Sequence, residues 1–479
     1  MQRPIRIFML FAAVMWTFIA MAERNQALAQ VVLRDAEAEW FLRKLGSPFA
    51  EAAGMTPGAV GYYIIGENSL NAFVAAGQNM FINSGTINAA DDVNELQGVM
   101  AHEMGHLSGA HQVRIGKEGA GPATAMALLS MLLGAAAIAV GAGQAGAGII
   151  AGGQSMAQRT FFSYTRTMES SADQAAIRFL TETELSGRGI LKFFNRIRGQ
   201  ELLSGRFQDP YLRTHPLTTQ RLSRLKAQLE PSPYFNKPSS AENQYWFRRV
   251  KAKLYGFMNE PEVTLRKYPV ADKSVFARYA RVYAYNKAIE WEKAIAEATS
   301  LTEEFPDDPY FAEILGQIYL ENGRVKEALP HYRRANELAP NTPLIMTALG
   351  HTILAIEDST DHDQEAIDLL EKAVLIDRFN RFAWRQLGEL YYRNGREPES
   401  NLATAELFAL TGQMGRAVRL ARTAMKGLPK GSPKWLRAQD IAFYASSVMG
   451  KDAKKRDGKR DGKKRKKGGK RRQQLEINN

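Results

Sequence analysis

His102, Glu103 and His106 spell a His-Glu-x-x-His motif inside an apolar, helix-compatible run from Val93 to Val113. On a helix, side chains at i and i+4 share a face, so both imidazoles can hold one Zn²⁺. Glu103 then stands beside the metal's open coordination position. There it can take a proton from the bound water and later deliver it to a leaving amine. The competing reading is two surface histidines on a helix. A second segment bears on the choice. Thr167 to Leu180 has helical periodicity, with Met168, Ala172, Ala175, Ala176 and Phe179 apolar. It places Glu169 and Asp173 at i,i+4, where like charges normally repel. Such a pair is either a solvated acidic face or a metal site. In the second case Glu169 is the third Zn²⁺ ligand and Asp173 orients a ligand histidine. His111 follows His106 by five residues, about 140° around the helix, and is not expected to be a ligand. His331, His351 and His362 fall among repeats and need no metal.

The elements around these residues follow from pattern. Residues 35–53 are expected to be helical, since Ala36, Trp40, Phe41 and Leu45 recur at helical spacing. A β-like region comes next: Val60–Ile65, Asn71–Val74 and Met80–Ile82, bounded by Gly77 and Gly85. It predicts a small sheet just before the metal helix. Asp92 followed by Glu95 has capping-box spacing and marks that helix's start. Residues 119–158 carry no charge. A transmembrane hairpin is one reading of them. Their Ala- and Gly-rich composition favours a buried or membrane-touching helical hairpin near the active site.

From about 240 to 449 the chain reads as helical repeats. Residues 309–340 fit the 34-residue tetratricopeptide pattern through Leu315-Gly316, Tyr319, Ala328, Tyr332, Ala335 and Pro340. Leu349-Gly350 with Ala366 and Ala373 starts a second unit, whose turn carries an insertion with Asp358, Asp361 and Asp363. Leu387-Gly388 with Tyr391 opens another, and Ala417, Ala421, Ala424 and Pro429 match the second helix of the last. Residues 275–306 fit loosely. Such helix pairs stack into a superhelix suited to protein binding, or serve as a rigid scaffold.

At 479 residues the chain is long enough for two or more domains. Residues 451–479 hold 14 Lys and Arg against 4 Asp and Glu, which is +10 of the total +13. The rest is near neutral, so a globular nucleic-acid-binding face is not implied. The tail itself has the composition of a disordered segment. A solvated tail without a specific role is the first reading, binding to anionic lipid or lipopolysaccharide headgroups the second, and nucleic acid the third. Arg3 and Arg6, the apolar Ile7–Ala20 and the small-x-small Ala27-Leu28-Ala29 read as a signal peptide cleaved after Ala29. Ala20-Met21-Ala22 is a second cleavage candidate, and an uncleaved anchor the alternative. An exported bacterial chain of this kind would be periplasmic. There is no cysteine, so stability must come from cores and metal.

Taken together, these motifs resemble the HtpX-like zinc metallopeptidases, and within them the periplasmic BepA-type group with C-terminal tetratricopeptide repeats. The resemblance covers nearly all of residues 30–449. It runs through Asn71-Ala72-Phe73, Met80–Gly85, Glu95–His106, Ser163–Arg166, Glu169–Asp173 and Arg213-Thr214-His215-Pro216, in matching order and spacing. It implies a mainly α protein: a zincin-like α+β metallopeptidase domain over 30–239, then a repeat superhelix over 240–449 and a basic tail over 450–479. It implies one Zn²⁺ per chain, held by His102, His106 and Glu169, with Glu103 as general base and Asp173 behind the ligands. Asn71, Ala72, Phe73 and Val74 match the edge strand against which a substrate backbone could pair. His215 matches a position near the metal. It could stabilise the oxyanion, occupy the fourth metal position and keep the site latent, or be structural. The insertion and the tail are not part of the shared motifs.

The function so implied is a periplasmic zinc endopeptidase. Zinc-bound water activated by Glu103 would attack the peptide carbonyl of misfolded or stalled outer-membrane β-barrel proteins, whose unpaired strand edges a β-augmenting site could capture. The repeats would recruit the client or its assembly machinery. The alternative is a chaperone or adaptor with latent protease activity. A third reading is an integral membrane protease spanning through 119–158. Peripheral membrane contact fits the first two, and nucleic acid is not an expected partner. Iron enzymes also use two histidines and a carboxylate, but the helical motif with its Glu argues for zinc.

Overall fold

The computed structural model describes residues 32–56, 58–75, 77–110, 156–204, 211–212, 215–356, 361–447 and 450. The expected signal segment 1–29, nearly all of the apolar stretch 119–158, His111, Arg213, Thr214, Asp358 and the tail from 451 lie outside the described residues. Among those described, no helix is long and apolar enough to cross a membrane. The chain divides into two compact units between Glu290 and Trp291. The helices between 241 and 287 therefore belong with the first unit.

The first unit opens with β1 (Val32–Leu33) and α1 (Ala36–Ala52), whose start is capped by the Asp35 side chain. Next come β2 (Gly61–Ile65), β3 (Ala72–Ala75) and β4 (Asn79–Asn83). They form one sheet in the order β1-β2-β4-β3, with β2 and β4 parallel and the other pairs antiparallel. Alternation places Tyr62, Ile64, Met80 and Ile82 on the covered face, where Phe41, Leu45 and Phe49 of α1 meet them. The expected strands thus appear, and the two-residue β1 joins them. Asn71 lies just before β3. Its backbone is engaged by the Thr86 hydroxyl and by the Asn83 N–H.

Two short steps lead to the metal-motif helix. α2 (Ser84–Ala89) is followed by α3 (Val93–Ser108). The helix starts at the predicted cap: Asp92 accepts from the Glu95 N–H at 3.1 Å, while the Glu95 side chain accepts from the N–H of Asp91, one residue before the cap, at 3.3 Å, so the reciprocal half of the capping box is displaced by one position. The helix ends at Ser108, five residues before Val113. Gly109 caps it, and Ala110 turns the chain with a left-handed φ of +48°. Nearly every side chain of α3 is buried, because helices pack on it from two sides.

Those partners are α4 (Met156–Glu182) and α5 (Arg188–Ser204). A Cβ on Gly98 would lie 2.5 Å from the backbone nitrogen of Ile190, so only glycine admits α5 this close. Ion pairs from Lys192 and Arg196 of α5 to Asp91, Asp92 and the buried Glu95 fix its register on α3. The unit is completed by α6 (Thr219–Leu229), α7 (Ala241–Met258), α8 (Pro261–Lys267) and α9 (Val275–Lys287). Glu37 of α1 is buried against Arg249 (2.5 Å) and Lys253 (3.2 Å) of α7 and the Tyr279 hydroxyl (2.7 Å) of α9.

The second unit is a stack of helices: α10 (Trp291–Glu304), α11 (Pro309–Glu321), α12 (Val325–Leu338), α13 (Pro343–Leu354), α14 (Asp363–Ile376), α15 (Arg381–Arg393), α16 (Glu397–Leu410) and α17 (Met414–Gly427). A further helix covers 433–447. Successive helices pack on one another through the tetratricopeptide positions, among them the buried Leu315, Ala328, Tyr332, Ala335, Leu387, Ala417 and Ala421. Asp363, expected within an insertion, is the first residue of α14. There it is buried and paired with Arg393 and Asn394.

Candidate active site

Helix packing brings three distant segments to one point. A Cβ on Gly105 would stand 2.6 Å from the carbonyl oxygen of Ala172, so α3 and α4 touch backbone to backbone there. At that contact, the face of α3 carrying His102 and His106 meets the face of α4 carrying Glu169 and Asp173. His215 enters just before α6, its N–H bonded to the Tyr211 carbonyl at 2.7 Å.

The resulting cluster is tight. His106 Nε2 lies 3.2 Å from His102 Nε2. Glu169 Oε2 is 3.4 Å from His102 Nε2, and Oε1 is 3.3 Å from His106 Nε2. His215 Nδ1 sits 2.9 Å from Glu169 Oε1 and 3.4 Å from His102 Nε2. One donor atom from each of the four residues lies within 4.8 Å of the others, and all four residues are buried. Three imidazoles and one carboxylate make the donor set of a four-coordinate site for a divalent cation.

Electrostatics point the same way. His102 Nδ1 is 3.1 Å from Asp173 Oδ1, which leaves Nε2 turned toward the cluster. Burial opposes charge on His102, yet its hydrogen bonds to Asp173 and Glu169 lift it to about 9. Burial pushes His106 down to about 3. Burial would also raise Glu169, but the surrounding histidines hold it well below the usual carboxylate range. The carboxylates draw positive charge onto this point, a demand that a bound cation meets. The donor set and its charge therefore fit a metal ion.

Glu103 is different. It is 1% exposed, and neither oxygen has a hydrogen-bond partner among the described residues. His215 Nε2 lies 3.7 Å from Glu103 Oε1. Burial raises its pKa.

Two residues that motif reading missed complete the site. Arg221 of α6 makes a two-pronged pair with Asp173, at 2.7 and 2.8 Å, and reaches Glu169 Oε2 at 2.7 Å. Tyr211, fully buried, stacks on His215 with ring centroids 4.4 Å apart. Arg221 follows His215 by six residues and carried no motif of its own. A charged residue in the apolar-periodic start of α6 was the available signal. Of the expected substrate residues, Ala72, Phe73 and Val74 lie in the edge strand β3, which packs beside α3, whereas Asn71 precedes it. A cavity of about 370 Å³ opens on the Asp173–Arg221 side. Neither Glu103 nor β3 lines it, so it is not the space in front of Glu103.

Residues 35–229, which contain every residue of this cluster, match Peptidase family M48. Over 401 residues the chain is 22% identical to the beta-barrel assembly-enhancing protease of Escherichia coli (strain K12), covering 82% of this chain and 80% of that one. Over 411 residues it is 24% identical to the putative beta-barrel assembly-enhancing protease of Vibrio cholerae, covering 84% and 83%. Among solved structures, YrrB, described as a tetratricopeptide-repeat protein with an unusual peptide-binding site, aligns over 37% of this chain and 91% of its own, at 18% identity and a TM-score of 0.31. MamA aligns over 36% and 96%, at 21% identity and a TM-score of 0.27. At such scores these two add nothing to the helix packing described above.

Proposed function

We propose that this chain, a metallopeptidase with a family M48 catalytic domain, is an exported, zinc-dependent endopeptidase acting on outer-membrane β-barrel proteins that misfold or stall during assembly. One observation carries the reading. The four donors of His102, His106, Glu169 and His215 converge on one point, with the buried carboxylate of Glu103 beside it, which has no hydrogen-bond partner among the described residues. His102, His106 and Glu169 would hold the ion, and zinc suits their buried nitrogen and oxygen donors. When bound, the ion would acidify water and polarise a peptide carbonyl. Glu103 would take the proton from the attacking water and pass it to the departing amine. Asp173 would keep His102 in the tautomer that leaves Nε2 free, and Arg221 would hold Asp173 and Glu169 in place. Ala72 to Val74 would align an extended substrate by strand addition. The names of the relatives support the class of client, and the apolar segment before residue 30 supports export to the periplasm.

The position of His215 favours a second element of this reading. Its Nδ1 lies among the donor atoms, so it would complete a closed set of four. The enzyme would then be latent until the ring swings away, and the repeats would support assembly in the meantime. The test pairs metal content with casein cleavage for the full chain, wild type beside His215→Ala. One zinc per chain with weak wild-type and stronger variant cleavage is expected. Bound zinc with cleavage lost in the variant would instead make His215 catalytic. Absence of bound metal in both would overturn the proposal.

A further inference from the structure

Tyr211 is fully buried and has no part in the chemistry proposed above. Its ring lies 4.4 Å from that of His215, centroid to centroid, at an interplanar angle of 25°. Its carbonyl accepts the His215 N–H at 2.7 Å, so one backbone turn brings the two rings face to face. Against Tyr211 stand Phe193 and Phe194 of α5, both fully buried, with ring centroids 5.9 and 6.0 Å from its own. Phe194 in turn meets His102 at 5.6 Å, close to perpendicular, and the Arg221 guanidinium lies 5.3 Å from its ring. Tyr211 is thus wedged against groups that are themselves fixed, and it has no room to follow His215. The imidazoles of His102 and His106 stand at 74° and 66° to that of His215, at 5.3 and 5.0 Å. Of these three neighbouring rings, Tyr211's is the one that lies parallel to it.

We infer that Tyr211 is the positioning residue for His215: by stacking, it holds the imidazole with Nδ1 among the donor atoms, and so sets how often the site stands open. The inference rests on the latent reading of His215 given above. In the closed arrangement His215 keeps both its polar contact, 2.9 Å from Nδ1 to Glu169 Oε1, and the stack. Once the imidazole swings out of the donor set, the stack is lost, because Tyr211 stays behind. The stack therefore stabilises one of the two states and not the other, which is the condition for shifting a population. A stacked aromatic pair is worth roughly twofold to tenfold in an equilibrium. That is enough to change the open fraction measurably while leaving the other three donors in place.

The experiment compares Tyr211→Leu, which keeps apolar volume without a ring, with the conservative Tyr211→Phe, which restores the ring. Tyr211→Met takes the place of the leucine variant if circular dichroism shows that one unfolded. The first readout needs no metal. In the metal-free full chain with isotope-labelled histidine, the His215 signal is identified by its loss in His215→Ala. A ring stacked on the imidazole moves that signal upfield. The upfield position should be seen in the wild type and in Tyr211→Phe, and lost in Tyr211→Leu. An unchanged position in Tyr211→Leu would overturn the inference. The second readout is casein cleavage with zinc. Tyr211→Leu should cleave roughly twofold to tenfold faster than the wild type, a gain that damage to the fold would not produce. Tyr211→Phe should bring the rate back, and Tyr211→Leu should add nothing to His215→Ala. If His215→Ala cleaves faster than the wild type and Tyr211→Leu does not, the latent reading stands and this inference falls. It also falls if Tyr211→Phe behaves as Tyr211→Leu does, since the hydroxyl and not the ring would then matter. If His215→Ala loses cleavage, the latent reading fails. Tyr211 then still positions the imidazole if Tyr211→Leu loses cleavage too and Tyr211→Phe does not; normal cleavage by Tyr211→Leu would overturn both.

Discussion

Glu103 is held in a costly state. A carboxylate deep in the protein, with no hydrogen-bond donor among the described residues, is costly to charge, and burial raises its pKa. Such an arrangement persists where the group's basicity is used. Glu103→Gln is isosteric and leaves the four donors in place. It should keep the metal, measured by atomic absorption, and lower casein cleavage by roughly a hundredfold to ten-thousandfold. Retained cleavage would remove Glu103 from the mechanism. Arg221 allows a complementary prediction. Its guanidinium bridges Asp173 and Glu169, so Arg221→Ala leaves two buried carboxylates without their counter-charge. Zinc affinity, read by competition with a chelating dye, should fall by about ten- to a hundredfold. Arg221→Lys should recover little of it, because an ammonium cannot span both carboxylates.

Helix packing sets the distances within the site. The ligands of α3 and α4 reach a common point because Gly105 lets the two backbones touch. In Gly105→Ala the new methyl meets the Ala172 carbonyl, which belongs to a backbone and cannot swing aside. Urea unfolding should show a loss of about 1–3 kcal/mol, with a weaker zinc affinity as Glu169 shifts along with α4. A normal stability with normal metal binding would mean that α4 does not set the geometry. In the repeats, Glu371 of α14 pairs with Lys434 of helix 433–447 at 2.7 Å and accepts from the Tyr391 hydroxyl. Burial would raise its pKa, but these two partners hold it below the usual carboxylate range. A depressed folded-state pKa stabilises above the unfolded value and ceases to do so as pH falls through the folded one. Thermal unfolding of the wild type should therefore lose stability on acidification, and Glu371→Gln should show a shallower loss over the same range.

One ionic cluster, beside the apolar contacts of Phe247, Val250 and Leu254, ties α7 to the start of the first unit. Glu37, near the start of the described chain, is satisfied by Arg249, Lys253 and Tyr279, more than 200 positions away. Removing the acid takes the 2.5 Å carboxylate partner from the buried Arg249, while Lys253 keeps Asp35 at 2.6 Å, so Glu37→Ala should cost on the order of 3–5 kcal/mol in urea unfolding. For the same reason a chain ending at 239 should fold poorly, while one ending at 290 should unfold cooperatively by circular dichroism. Equal stability of the two would place the peptidase boundary near 239, as the motifs suggest.

Local rules carried much of this protein's architecture. The strands around Tyr62 and Ile82, the Asp92–Glu95 cap, the His102–His106 face and the Leu-Gly-anchored repeat helices all follow from periodicity and capping. Those depend on neighbours within a few residues, so order along the chain is enough to read them. The end of α3 at Ser108 was less legible, because the run after it remains compatible with a helix and only Gly109 and Ala110 turn it. Arg221, Tyr211 and the position of His215 depended on tertiary packing. Arg221 and His215 act across tens of residues on Asp173 and Glu169, groups that no local pattern links to them, and Tyr211 joins the site only through His215, four positions on. The same holds for Glu37, whose charge reads as an ordinary first-turn acid until α7 and α9 bury it. Sequence spacing names the side chains that share a helix face. Which faces then meet is decided by close backbone contacts such as Gly105 on Ala172, and by the pairing that buried charges require once water is excluded.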